Sequence, residues 1–137
     1  MLSSWLSRAA ALAMAKAAST GPIHSISALK LFEVRRKLKN EQTFLRSIRN
    51  GNGEAMLHNA SGTQLDLLGT LMFCVSKGKV PVKKKTLQKM YSADLFFTLE
   101  NYLKSPNQFA ALKIAKRRKI LLRFLPFLPT ILKPVLQ

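Results

Sequence analysis

Acidic residues are scarce in this chain. Six Asp and Glu stand against 23 Lys and Arg over 137 residues, a formal charge of +17 at pH 7 with His neutral. Residues that carry chemistry are scarce as well, with one Cys, two His and one Trp. A single Cys closes no disulfide within the chain, so Cys74 does not mark a stapled, secreted fold. So few acids and His leave little for a metal cage or for paired catalytic carboxylates. No phosphate-cradling Gly loop is present, and no nucleophile stands with a base at a recognisable motif. The expectation is a non-enzymatic binding protein without cofactor or metal. The length allows one domain, or one small domain with tails. Hydrophobic residues make up 47% of the chain, too many for a wholly disordered polycation.

The charge is unevenly placed. Residues 1–50 are net +7, residues 51–105 net +3 and residues 106–137 net +7. Excess charge of one sign opposes compaction by self-repulsion and attracts polyanions. The nearly balanced middle is therefore the expected core, and the basic ends are expected to meet an anionic partner. The alternative is that the lysines and arginines merely solvate exposed helix faces.

Residues 1–32 contain no acid and carry Arg8, Lys16 and Lys30 among many Ser and Ala. That is the composition of a mitochondrial presequence. On a helical wheel Leu2, Trp5, Leu6 and Leu12 share a face opposite Ser3, Ser4 and Ser7, although Lys16 falls on the apolar side. A secretory signal fits less well, because Lys16 interrupts the short apolar stretch. Gly21-Pro22 ends any first helix.

From Ile26 to Asn50 apolar residues recur at helical spacing: Leu31, Val34, Leu38, Leu45 and Ile48. Gly51-Asn52-Gly53 stops that run, and a short helix from Glu54 to Asn59 follows. Ser61 and Gln64 read as a capping box. They open the helix expected to be most buried, with Leu65, Leu68, Met72 and Val75 on one stripe and Gly78 as its stop. Within it Cys74 and Met72 read as core; His58, in the short helix before it, reads as a surface or capping residue. Pro81 makes an extended connection. Short helices are expected over Thr86–Met90 and, capped by Ser92, over Asp94–Lys104, with one of Phe96 and Phe97 exposed. No useful strand alternation is present.

Ser105-Pro106 starts a further helix expected to run through Lys113 to Lys119. The chain then turns apolar from Ile120 to Leu136, interrupted by Pro126, Pro129 and Pro134. These prolines, with Arg123 and Lys133, argue against a regular membrane-spanning helix. An interfacial segment, a partner-docking segment and a tail folded back on the core all remain open. Lys116-Arg117-Arg118-Lys119 also looks like a weak nuclear localisation signal.

The segment from Leu57-His58-Asn59-Ala60-Ser61 to Val80-Pro81-Val82, the Lys-Arg-Arg-Lys run and the apolar end follow one another in an order seen elsewhere. Over about residues 40–137 that order resembles small basic proteins of Maverick/Polinton and adintovirus-like DNA elements, similar in plan to the small core peptide of adenoviruses. The resemblance implies a virion or core-associated role, with the basic part on packaged DNA and the apolar end on membrane or capsid. The chain departs from that plan in lacking Gly-Gly before its apolar end, where Leu122-Arg123-Phe124 stands, and in its presequence-like N-terminus.

The expected fold is all-α, a small irregular bundle of short helices with basic, partly disordered N- and C-terminal arms. Its parts are a presequence-like or flexible segment 1–25, a helical domain 26–104, and a basic helix with a Pro-containing apolar tail, 105–137. The leading functional expectation is non-specific binding of DNA or RNA by phosphate neutralisation. Duplex DNA carries one charge per about 1.7 Å, so the excess offsets on the order of ten base pairs. The residues expected on phosphate are Arg35, Arg36, Lys37 and Lys39, then Lys83, Lys84 and Lys85, then Lys116, Arg117, Arg118 and Lys119. Phe124, Leu125, Phe127, Leu128, Ile131 and Leu132 are the expected membrane or partner contacts. The alternatives are a mitochondrially imported, ribonucleoprotein-associated protein and a protein with a membrane-active tail. Virion, host nucleus and mitochondrion are the compartments these readings imply.

Overall fold

The computed structural model describes residues 28–104 and 106–136, and every regular element among them is helical. Helix α1 spans Ala28–Asn40 and α2 spans Gln42–Ser47, and a wide π-type turn, Ile48–Asn52, leads into α3, Gly53–His58. There follow α4 (Gly62–Ser76), α5 (Lys84–Ser92), α6 (Leu95–Tyr102) and α7 (Pro106–Ala110). The last two are α8 (Ile114–Arg123) and α9 (Leu128–Val135). The all-α bundle of short helices is thus the fold. The presequence-like segment 1–25 lies outside the described residues, as does the expected cap Ser105.

Helix α4 is the axis, and local sequence defines both its ends. Ser61 Oγ accepts the Gln64 N–H at 3.2 Å while the Ser61 N–H donates to Gln64 Oε1 at 2.9 Å, a complete capping box. At the other end Gly78 takes φ +70°, its N–H donates to the Val75 carbonyl at 3.0 Å, and the Lys79 N–H donates to the Cys74 carbonyl at 2.8 Å. A left-handed residue with these two bonds closes the helix in a Schellman motif, which favours Gly. Between these ends Leu65 and the whole run Leu67–Val75 are buried. A helix apolar on all sides belongs at the centre of a bundle, and α4 is packed by α1, α6, α7 and α8.

Two polar contacts fasten α1 and α2 to the start of α4. Gln64 Nε2 donates to Glu41 Oε2 at 3.0 Å, and Lys37 Nζ lies 3.5 Å from Asp66 Oδ2. Further along, the Phe109 ring of α7 lies so close over Gly69 that any Cβ there would overlap it. With five residues α7 is far too short to persist alone, so this ring seat is what places it. Burial of the Cys74 thiol pushes its pKa from 9.0 to about 12, against a smaller opposing effect of Lys79. The thiol behaves as a small core hydrophobe.

The apolar end of the chain is core. Phe124, Leu128, Ile131 and Leu132 are fully buried, and Leu125 and Phe127 pack against the same cluster as α4. Of the six residues expected at membrane or partner, four are thus fully buried and two half-buried, the placement of the folded-back alternative. The prolines suit a short helix. Pro129 sits in the first turn of α9, where no N–H partner is needed. Pro134 falls just before the helix ends. Leu128, Ile131, Leu132 and Val135 then form one stripe at three- and four-residue spacing, and α9 lays that stripe against the π-type turn. No described helix is long and apolar enough to cross a membrane.

Two boundaries also differ from expectation. Ser92 does not cap α6: it is the last residue of α5, and its hydroxyl donates to the Gln88 carbonyl at 2.8 Å. The cap position is Asp94, at φ +56°. The continuous helix expected from Pro106 through Lys119 is two helices, α7 and α8, broken at residues 111–113. Of the aromatic pair, Phe96 is buried and Phe97 is 62% exposed.

Candidate nucleic-acid interface

Helix α8 carries four consecutive basic residues, and a helix turns through 100° per residue. Four such residues cannot all face solvent when one side of the helix packs on α3 and α4. Arg117 and Arg118 face inward. Arg117 Nε donates to the Leu112 carbonyl and its Nη1 to the Gly62 carbonyl, both at 3.0 Å. Arg118 donates through Nε to the Leu57 carbonyl at 2.9 Å and through Nη2 to the Ala60 carbonyl at 3.1 Å. The accepting carbonyls of Leu57, Ala60 and Gly62 lie around the α3–α4 corner, where the end of α3 leaves carbonyls without helical partners. These two guanidiniums therefore clamp α8 to the fold, and they are half-buried rather than presented outward.

Lys116 and Lys119 face outward and are exposed. Lys113, three residues before, and Arg123, four residues after, are exposed as well. With Lys113 at the cap position of α8, the four stand at three- and four-residue spacing. The stripe lies beside α6: Lys116 Nζ stands 4.7 Å from the centre of the Tyr102 ring, and Arg123 Nη1 is 3.4 Å from Thr98 Oγ1. No carboxylate among the described residues pairs with any of these four cations. Lys113 and Arg123 were missed by a reading that stopped at the consecutive run, although their spacing from Lys116 and Lys119 was already visible.

The other expected residues divide similarly. On α1, Arg36 and Lys39 are exposed, Arg35 is half-buried, and Lys37 is held by Asp66. Lys83, Lys84 and Lys85 are all exposed at the start of α5. Neither α5 nor α8 has an acid in its first turn. Lysines there oppose the helix dipole, at a cost of about 0.3–1 kcal/mol each. Their placement weakens the helices and presents positive charge outward.

Two further cations, Arg49 of the π-type turn and Lys133 of α9, are brought to the same hollow by tertiary packing alone. No pattern along the chain pointed to that pairing. Among the described residues no group of three His, Cys, Asp or Glu is placed to hold a metal. His58 is exposed, with Nε2 at 4.0 Å from Glu54 Oε1.

No family model, curated protein or solved structure matches this chain.

Proposed function

We propose that the protein binds nucleic acid without sequence choice, by neutralising phosphates with exposed lysines and arginines. The observation that carries this reading is the stripe of Lys113, Lys116, Lys119 and Arg123 on α8, four outward cations with no carboxylate partner among the described residues. The exposed Lys83–Lys85 cluster and the overall charge of +17 support it. Such a surface gains affinity by releasing counterions and carries no base readout. A role in packaging DNA in a viral or transposon-like element fits that chemistry and the resemblance of the basic and apolar segments to Maverick/Polinton-type proteins.

The test is the salt dependence of duplex DNA binding. The affinity falls log-linearly with salt and differs little between sequences. Replacing Lys116 and Lys119 with Gln lowers the slope by about 0.9 for each phosphate contact removed. An unchanged slope in that variant, or an affinity indifferent to salt, defeats the proposal.

A further inference from the structure

Helices α6 and α8 both pack on α4, and their flanks meet at two places. Near the start of α8, Lys116 Nζ stands 4.7 Å from the centre of the Tyr102 ring. At its end, Arg123 Nη1 is 3.4 Å from Thr98 Oγ1, one turn earlier on α6. The two helices therefore lie side by side and run in opposite directions. At about 100° per residue, Thr98 and Tyr102 share the flank of α6 that faces the cations. Glu100 falls about 180° round from them, so the one acid within α6 is turned away. Phe97 and Asn101, both exposed, stand on the crest between these flanks. Neutralising phosphate uses no aromatic ring, yet a phenol lies against Lys116 and a bare phenyl ring stands one residue from Thr98.

We propose that this surface takes single-stranded nucleic acid, with phosphates on Lys116, Lys119 and Arg123 and unpaired bases stacked on Tyr102 and Phe97. The inference rests on the phosphate reading of the α8 stripe and adds the class of strand. A duplex keeps the faces of its bases inside its own stack, whereas unpaired bases are free to stack on aromatic side chains. Stacking accepts every base, because each has a π-face, and so agrees with binding without sequence choice. The quadrupole of the Tyr102 ring attracts the Lys116 ammonium, so a phosphate bound by Lys116 brings the adjoining base to that ring. Tyr102 is half-buried and packs against the core. Its ring is thus ordered before a strand arrives, which lowers the entropic cost of binding. Tyr91 takes no part: its ring lies 4.6 Å from that of Phe96, on the flank of α6 turned away from α8.

The experiment titrates the full-length protein with a thymidine dodecamer, a uridine dodecamer, an abasic deoxyribose-phosphate strand of the same length and a duplex dodecamer. The abasic strand keeps the phosphates and lacks the bases. A base-bearing strand should bind at least about fivefold more tightly than the abasic one. Phe97→Ala/Tyr102→Leu should abolish that margin while duplex affinity, abasic affinity and the salt slope stay as they were, since no cation is removed. Tyr102→Phe, which keeps the ring, and Tyr91→Ala, on the far flank, should retain the margin. Tighter binding of the thymidine or of the uridine strand identifies the sugar, and either supports the site. Unchanged helical melting curves verify the fold of each variant, and Phe97→Ala alone, at an exposed position, should lower the margin by itself. Equal binding of base-bearing and abasic strands overturns the proposal. So does a margin that survives the loss of both rings, or a duplex affinity that falls with them. Failure of the phosphate reading is separate: it shows as a salt slope unchanged in Lys116→Gln/Lys119→Gln, whatever the margin between strands.

Discussion

The two faces of α8 have the same charge and opposite fates. On the inner face Arg117 and Arg118 spend their donors on four backbone carbonyls. On the outer face Lys116 and Lys119 reach solvent, and Lys116 lies over an aromatic ring. The division follows the side chains. A guanidinium presents fixed, planar donors and is weakly hydrated, so it satisfies several carbonyls at a partly buried corner. An ammonium is a compact, strongly hydrated charge that is costly to desolvate. A basic run is therefore no uniform surface: the arginines in this one fasten the scaffold and the lysines offer the charge.

That contrast can be broken first from beneath. Leu121 is fully buried on α8, one turn after Arg117. Leu121→Ala should cost about 2–5 kcal/mol of stability in denaturant melts, and a cost under about 0.5 kcal/mol would show that α8 is not anchored as described.

A smaller and more selective effect comes from Arg118→Lys, which keeps the charge and loses the fork. Leaving the Leu57 and Ala60 carbonyls short of donors should cost about 1–3 kcal/mol, with the salt slope for DNA unchanged. Lys116→Gln/Lys119→Gln should do the reverse, with stability held within about 0.5 kcal/mol and the slope reduced. If the arginine variant altered the slope and left Tm alone, the assignment of the two faces would be inverted.

The least perturbing probe is the thiol of α4, the helix on which α8 packs. Cys74 should resist alkylation at pH 8 in the folded protein and react once it is unfolded, because the thiolate is the reactive form. Its folded pKa of about 12 lies above the ordinary 9.0. The folded state thus prefers the protonated thiol. The stabilising contribution is full below pH 9, declines as pH rises, and is lost through about pH 12. Rapid labelling at pH 8 under native conditions would show that α4 opens far more readily than its burial implies.

Much of the scaffold was legible in the sequence because its signals are local. Ser61 with Gln64, Gly78 at the end of α4 and the stop at Gly51 each act within a few residues, and each has its expected role. Gly51 takes φ +103° with open space around it, so backbone conformation is the reason for glycine there. What stayed hidden depends on distant partners. The apolar end left membrane, partner and its own core all open, since composition does not say which surface covers it. Its helical stripe, Leu128 to Val135, was nonetheless present in the spacing. The inward turn of Arg117 and Arg118 needed the α3–α4 corner, and the Arg49–Lys133 pairing needed the packing of α9 on the π-type turn.

The seat of Phe109 on Gly69 bears on how the molecule breathes. Among the described residues, the segment from Leu103 to Lys113 holds the five-residue α7, and that ring is the one fully buried side chain described between Leu103 and Ile120. Such a segment can lift away as a unit without dismantling α4, a local opening with its own free energy below that of global unfolding. Its amides should exchange with solvent together and ahead of those of α4. Because the segment leads directly into α8, each opening would also loosen Lys113, the first cation of the outer stripe. The space that Gly69 leaves for this ring is therefore tied, through the chain, to the start of the outer stripe.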